Sequence, residues 1–339
     1  MKLFLATVAL AALSADAFTF APSTPQHSTA LFASKSAVKQ MKREKWVESR
    51  GGSNAPTSDS SAASDLEKND SGLTFKTLTS PNGSTATIYT LGACVTSYSS
   101  SGTEYLAVRP DAKMDGSKPI SGGLAFCWPQ FGPDSGLEGL TLQQHGFARN
   151  TDWKVASTTD ESVTMTMEPD DYITGMGWEH PFKCEYTVSI NDDSLDTTFK
   201  VSNTGDGPFN HQAALHSYFK VSSLANLQIS GSFKGKEYID KMDGATKKTE
   251  ERDALTITSE TDSVYMGVND PAIEDTGTGK KLSVQTTSGW EDCVVWNPYG
   301  DEGMGFDNFV CAESVKFEPV TTGAGESWEA KMSLKPSDL

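Results

Sequence analysis

"FKCEYTVSI", residues 182–190, and "LDTTFKVSN", residues 195–203, alternate apolar and polar side chains with a period of two. In the first run Phe182, Cys184, Tyr186, Val188 and Ile190 share one side, and Lys183, Glu185, Thr187 and Ser189 share the other. A strand sends successive side chains to opposite faces, so this is the pattern of a half-buried strand, not of a helix. β-Branched and aromatic residues add to it because they fit a pleated surface. Between the two runs lies "NDDS", the turn-forming chemistry that bounds strands.

Working outward, the same reading applies to "TATIYTL", "SVTMTMEP", "ANLQISGSF", "KLSVQTTS" and "SVKFEPV". Each is bounded by Gly, Pro, Asn or Asp. Long stretches of helical period are absent, and no repeat of fixed length stands out. Residues 71–339 therefore predict an all-β fold, one large antiparallel β-sandwich and not two small domains.

The front of the 339-residue chain reads differently. Residues 1–17, "MKLFLATVALAALSADA", have Lys2, an apolar run and a small-residue cleavage pattern, which predicts a signal peptide. The apolar run is too short to span a bilayer well. Residues 18–50 are rich in Ser, Thr and Ala and carry more Lys and Arg than acid, as transit segments do. The junction "SADAFTFAPS" resembles the bipartite presequence of algae with secondary plastids, which implies routing to the plastid; secretion with a Ser-rich arm is the alternative. Residues 51–70 have too little apolar content to order themselves and read as a disordered linker.

The formal net charge is −17, and removing the basic presequence would leave the remainder more acidic still. That balance argues against binding nucleic acid or an anionic membrane, since both need a basic surface. The hydrophobic fraction of 37% suffices for a sizeable core. The five cysteines, Cys94, Cys127, Cys184, Cys293 and Cys311, are widely spaced and contain no C-x-x-C pair. They suit neither a disulfide framework nor a zinc site, and buried reduced thiols are expected.

With no metal pattern, phosphate-cradling glycine loop or nucleophile elbow, acid–base chemistry leads, and histidine is the first place to look. In "HQAALHSYFK", read as a strand, Gln212, His216, Tyr218 and Lys220 fall on one face and Ala213, Leu215 and Phe219 on the other. His216 is thus expected among polar neighbours, either as a catalytic group or as a hydrogen-bonded histidine on a solvated face. His211 points the other way. "FVCAESVKFEP" puts Glu313 on a face with Cys311, Val315 and Phe317. There a carboxylate would lose solvation and become a stronger base; a salt-bridged glutamate at a strand end is the competing reading. "FCWPQFGP", residues 126–133, offers Trp128 and Phe131 as pocket walls for a sugar ring, or as core and turn.

Five motifs, "GGLAFCWPQFGP", "QQHGFARN", "ALHSYF", "VVWNP" and "VCAES", follow one another in this order. Together with "GSFKGKEYIDK" and "GESWEAKMSL" they resemble the glucose-6-phosphate 1-epimerase branch of the aldose 1-epimerase family, from about residue 73 to the end. The resemblance implies a galactose mutarotase-like supersandwich whose open face holds a hexose phosphate or an aldose, with no cofactor and no metal. It implies His216 as acid toward the ring oxygen and Glu313 as base toward the anomeric hydroxyl. Opening of the C1–O5 bond, rotation about C1–C2 and reclosure would then give the other anomer. Gln144, His145, Arg149 and Asp262 fall on its substrate-binding positions, and Trp128 beside them. Two departures bear on the phosphate: Ser121 stands where the family has an arginine, and Ala125 where it has a proline. Arg109 and Lys118 are the candidates to replace that lost guanidinium. An epimerase acting on free aldoses, or a carbohydrate-binding sandwich without catalysis, are the alternatives.

Overall fold

The structure is a computed structural model that describes residues 65–133 and 136–339. The segments expected to be a signal peptide, a transit segment and, up to residue 64, a linker lie outside the described residues. Two antiparallel sheets, one of twelve strands and one of eight, carry the fold. The runs that open the sequence analysis pair with each other in the smaller sheet, Ile190 opposite Leu195 and Phe182 opposite Asn203. Both show strict alternation of buried and half-buried residues along their length.

In the larger sheet the strand Phe209–Lys220 lies between Leu124–Cys127 and the strand Phe309–Thr322. Beyond the latter follow Asp292–Asn297, Thr261–Tyr265 and Glu237–Asp240. One edge begins earlier than expected: Glu67 and Lys68 pair with Phe75 and Thr74, so the linker does not extend to residue 70. Backbone pairing, available to polar residues as well as apolar ones, orders this short piece.

The sheets close on one main core. Phe126 of the larger sheet meets Tyr186 edge-on at 4.5 Å and Phe199 at 4.8 Å, both from the smaller sheet. Ala213, Leu215, Phe219, Val295, Val310 and Ala312 fill the same layer. Each such large side chain, taken out of water, contributes about 1.5–3 kcal/mol. The other face of the larger sheet is not simply solvated. Cys127, Ala214, Val264, Val294 and Val315 form a second buried apolar cluster there, with Phe131 packed on it. The alternation of the central strands is therefore apolar on both faces, and the site stands on the outer one.

Candidate functional site

Strand register brings the two chemical groups together. Leu215 lies opposite Ser314 and Tyr218 opposite Cys311, so His216 and Glu313 stand side by side on adjacent strands. On its other flank His216 pairs with Ala125. His216 Nδ1 lies 3.5 Å from Glu313 Oε1. The His216 ring is fixed by its neighbours: Tyr218 stacks on it at 4.7 Å, Trp296 meets it edge-on at 5.7 Å and His145 edge-on at 5.5 Å. The polar surroundings expected for His216 are thus largely aromatic.

Burial sets the charge of this pair. Glu313 is 2% exposed, and desolvation pushes its carboxyl well above the usual range. Lys241 nearby draws it down, and Asp262 pushes it up. Desolvation likewise lowers His216 to about 3, helped by the charges of Arg149, Arg109 and Lys241. Burial penalises whichever form is charged, so the pair favours a neutral carboxyl beside a neutral imidazole. It then holds one proton between two groups across a broad range of pH.

The stretch 142–150 folds back over this pair. His145 adopts φ 63° and Gly146 φ 71°. A Cβ on Gly146 would lie 2.1 Å from the Trp128 carbonyl oxygen, so only glycine fits that approach. The left-handed backbone at a non-glycine residue is strain of the kind found at working sites. The Gly132 N–H donates to His145 Nδ1 at 3.2 Å, which leaves the ring proton on Nε2, beside the Gln144 side-chain amide. Desolvation holds His145 neutral, with a pKa of about 2. Arg149 donates from Nη2 to the Gln144 carbonyl at 2.9 Å, while its buried Nε has no hydrogen-bond partner.

Asp262 sits opposite Trp296 in the neighbouring strand pair and takes an ion pair from Lys241 Nζ at 3.0 Å. Lys241 also lies 5.4 Å from the Phe131 ring centroid. The structure thus gathers His216, Glu313, Gln144, His145, Arg149 and Asp262 into one basin. Trp128 does not belong to it. Its side chain is fully buried in the main core against Phe147, Trp178 and Phe182. Cys127 faces outward, so the next residue must face inward. Phe131, three residues on, walls the basin instead.

One basic group of the site was missed in the sequence and another was only one of two candidates. Lys241 closes the motif "GSFKGKEYIDK", yet nothing local marks it as part of a site. Of the candidates to replace the arginine at Ser121, Arg109 is the one the fold brings close. Its backbone N–H donates to the Ser121 carbonyl at 3.0 Å, and its guanidinium pairs with Asp111. Lys118 is exposed. All five cysteines are buried and free, as expected. A separate cavity of about 290 Å³, lined by Tyr105, Lys220, Ser222, Asp275 and Lys280 among others, contains neither His216 nor Glu313. Among the described residues no helix is long and apolar enough to cross a membrane.

An acid–base pair on the outer face of a β-sandwich, ringed by hydrogen-bonding groups, suits proton transfer to and from a polyhydroxylated ring. Known proteins agree. Residues 75–335 match the family model described as aldose 1-epimerase. A protein of Cenchrus ciliaris, provisionally named glucose-6-phosphate 1-epimerase, is 30% identical over 292 residues, covering 80% of this chain and 87% of its own. A provisionally named glucose-6-phosphate 1-epimerase of Salmonella typhimurium is 32% identical over 213 residues, 58% of this chain and 67% of its own. The crystal structure of a provisionally named mutarotase from Salmonella typhimurium superposes with a TM-score of 0.69 at 25% identity, covering 81% of this chain and 93% of that one. This chain belongs to the aldose 1-epimerase family and is an isomerase of the epimerase type.

Proposed function

We propose that the protein interconverts the α and β anomers of a hexose 6-phosphate, glucose 6-phosphate in the first instance. The observation that carries this reading is the His216–Glu313 pair, 3.5 Å apart, with the Arg149 guanidinium close enough to act on the His216 charge. The relatives named for glucose 6-phosphate support the substrate class.

The chemistry follows from the single proton of the pair. In the empty basin burial favours that proton on Glu313. A phosphate dianion beside Arg149 offsets the cationic field that disfavours imidazolium, so the proton moves to His216 as the sugar arrives. Glu313, now a carboxylate, takes the proton of the anomeric hydroxyl. His216 gives its proton to the ring oxygen as the C1–O5 bond breaks. The open-chain aldehyde rotates about C1–C2, and reclosure with the roles exchanged gives the other anomer. In this reading Asp262 and His145 bond the sugar hydroxyls. Arg109, whose backbone pairs with Ser121 and whose charge reaches His216, is the second guanidinium in this reading.

A second reading is favoured by Ser121 itself, because a site short of one phosphate-binding arginine suits a free aldose. Anomer exchange followed by NMR on glucose 6-phosphate and on glucose separates the two. Faster catalysed exchange of the phosphorylated sugar is expected; faster exchange of glucose would transfer the assignment to free aldoses, and acceleration of neither would remove the catalytic role. We also infer plastid routing from the pattern of residues 1–50. A fluorescent fusion of residues 1–70 should enter the plastid, and secretion of the fusion would contradict it.

A further inference from the structure

On the outer face a thiol, which anomer exchange does not require, stands beside the acid–base pair. His216, Cys311 and Glu313 each offer one ligand atom, and these atoms lie within 4.8 Å of one another. Cys311 and Glu313 are two residues apart in the strand Phe309–Thr322, so they project from the same face. His216 reaches them from the adjacent strand. Glu313 is 2% exposed and Cys311 fully buried. Glu313 Oε2 and His216 Nδ1 are buried without a hydrogen-bond partner. An unsatisfied buried nitrogen and oxygen are costly, and both point to a group that completes them.

The donor set selects the chemistry. Sulfur, imidazole nitrogen and carboxylate oxygen together suit Zn²⁺, with bonds of about 2.0–2.3 Å. Magnesium and calcium, which take oxygen ligands, are poorly served by a thiol and an imidazole. The 3.5 Å between His216 Nδ1 and Glu313 Oε1 is close to the separation of two ligands on one tetrahedral centre. Only a small side-chain adjustment is then needed to draw in the sulfur.

We propose that the sugar-free basin holds one thiophilic divalent cation of the Zn²⁺ kind on His216, Cys311 and Glu313, and that the cation and the sugar exclude each other. Binding balances without redox change. Cys311 gives its thiol proton and Glu313 its carboxyl proton to water, His216 binds through a neutral nitrogen, and water takes the fourth position. The exclusion rests on the reading of His216 and Glu313 as the pair that works on the sugar; the metal site itself does not.

Co²⁺ is the probe, added to the full chain, because a cobalt–thiolate bond absorbs in the near ultraviolet where the free ion does not. The wild-type protein should develop that band at one equivalent, and Cys311→Ser should lack it while keeping its thermal transition. Should Cys311→Ser fail to fold, His216→Ala serves as the second variant and should weaken Co²⁺ binding at least tenfold. Glucose 6-phosphate should bleach the band, and Zn²⁺ at ten times its Kd should slow anomer exchange about tenfold, reversibly with a chelator. No band in the wild type, or an undiminished band in folded Cys311→Ser, overturns the site while leaving mutarotation untouched. A band that resists both glucose 6-phosphate and glucose overturns the exclusion.

Discussion

His211 and His216 lie on one strand, five residues apart, and burial lowers both to about 3. Their surroundings differ completely. His211 is fully buried in the core layer, with Nε2 3.1 Å from the Thr322 hydroxyl and rings of Trp128, Phe209 and Trp328 around it. His216 faces the other side of the same sheet, with the Glu313 carboxyl at 3.5 Å and three cationic side chains acting on its charge. A depressed histidine is therefore no mark of a working site. What separates the two is a partner of matched protonation on an open face, and that partner is supplied by the neighbouring strand.

The comparison breaks first at the pair itself. Glu313→Gln and His216→Ala should each lower kcat for anomer exchange by roughly 10²–10⁴-fold, the usual contribution of a positioned acid or base. Glu313→Gln should leave thermal stability unchanged or raised, because it replaces a buried carboxyl whose Oε2 lacks a partner. A variant that keeps near-native exchange would take that residue out of the mechanism. His211→Ala should behave in the opposite way. It removes the bond to Thr322 and opens a void among three aromatic rings, at a cost of about 2–4 kcal/mol in denaturant unfolding. Its kcat per folded molecule should stay within a few-fold of wild type. If the two variants shift both stability and rate alike, the division of labour between the faces is wrong.

Arg149 sharpens the comparison at an intermediate scale. Its guanidinium touches the Gln144 carbonyl and leaves Nε unpaired. Arg149→Ala should raise KM for glucose 6-phosphate about tenfold or more and KM for glucose much less, as loss of a charge-assisted hydrogen bond to one substrate only would do. Equal changes in the two constants would show that Arg149 holds the sugar ring or the loop and not a phosphate.

The two faces also explain what could be read without a structure. Strands of the smaller sheet such as Phe182–Ile190 and Leu195–Asn203 were legible because one face of each is buried. His216 and Glu313 were legible because histidines are few, and alternation assigns each group its face and puts the carboxyl on an apolar one. Trp128 misled because every residue of Leu124–Cys127 is buried, so the period-two signal that would have placed the next side chain is erased. Lys241 was illegible, and Arg109 could be named only as one of two candidates, for a different reason. Lys241 begins a short helical turn 25 residues after His216 and 72 before Glu313, and Arg109 stands 107 residues before His216. Only register and sheet order bring those charges together. The apolar lining under the pair was hidden for the same reason, since Val264, Val294 and Val315 come from three different strands.

The smallest expected effect tests the charge balance of the basin. The free enzyme needs one proton on the pair, so kcat/KM should form a plateau. Its acid limb reports a second proton arriving as His216 becomes imidazolium, and lies well below the ordinary histidine range because burial and the three cations disfavour that charge. Its alkaline limb reports loss of the Glu313 proton and lies above the ordinary carboxylate range because burial disfavours the anion. Lys241 lowers both groups. Lys241→Ala removes that cation and also releases the Asp262 carboxylate it pairs with, and Asp262 raises Glu313. Both changes act in one direction, so both limbs should move to higher pH, by about half a unit for a partly solvated charge. At neutral pH the rate should change only a few-fold. A shift of either limb to lower pH would mean that Lys241 reaches the pair through structure and not through its charge; limbs that stay fixed would mean that the Lys241–Asp262 ion pair cancels its own field at the site.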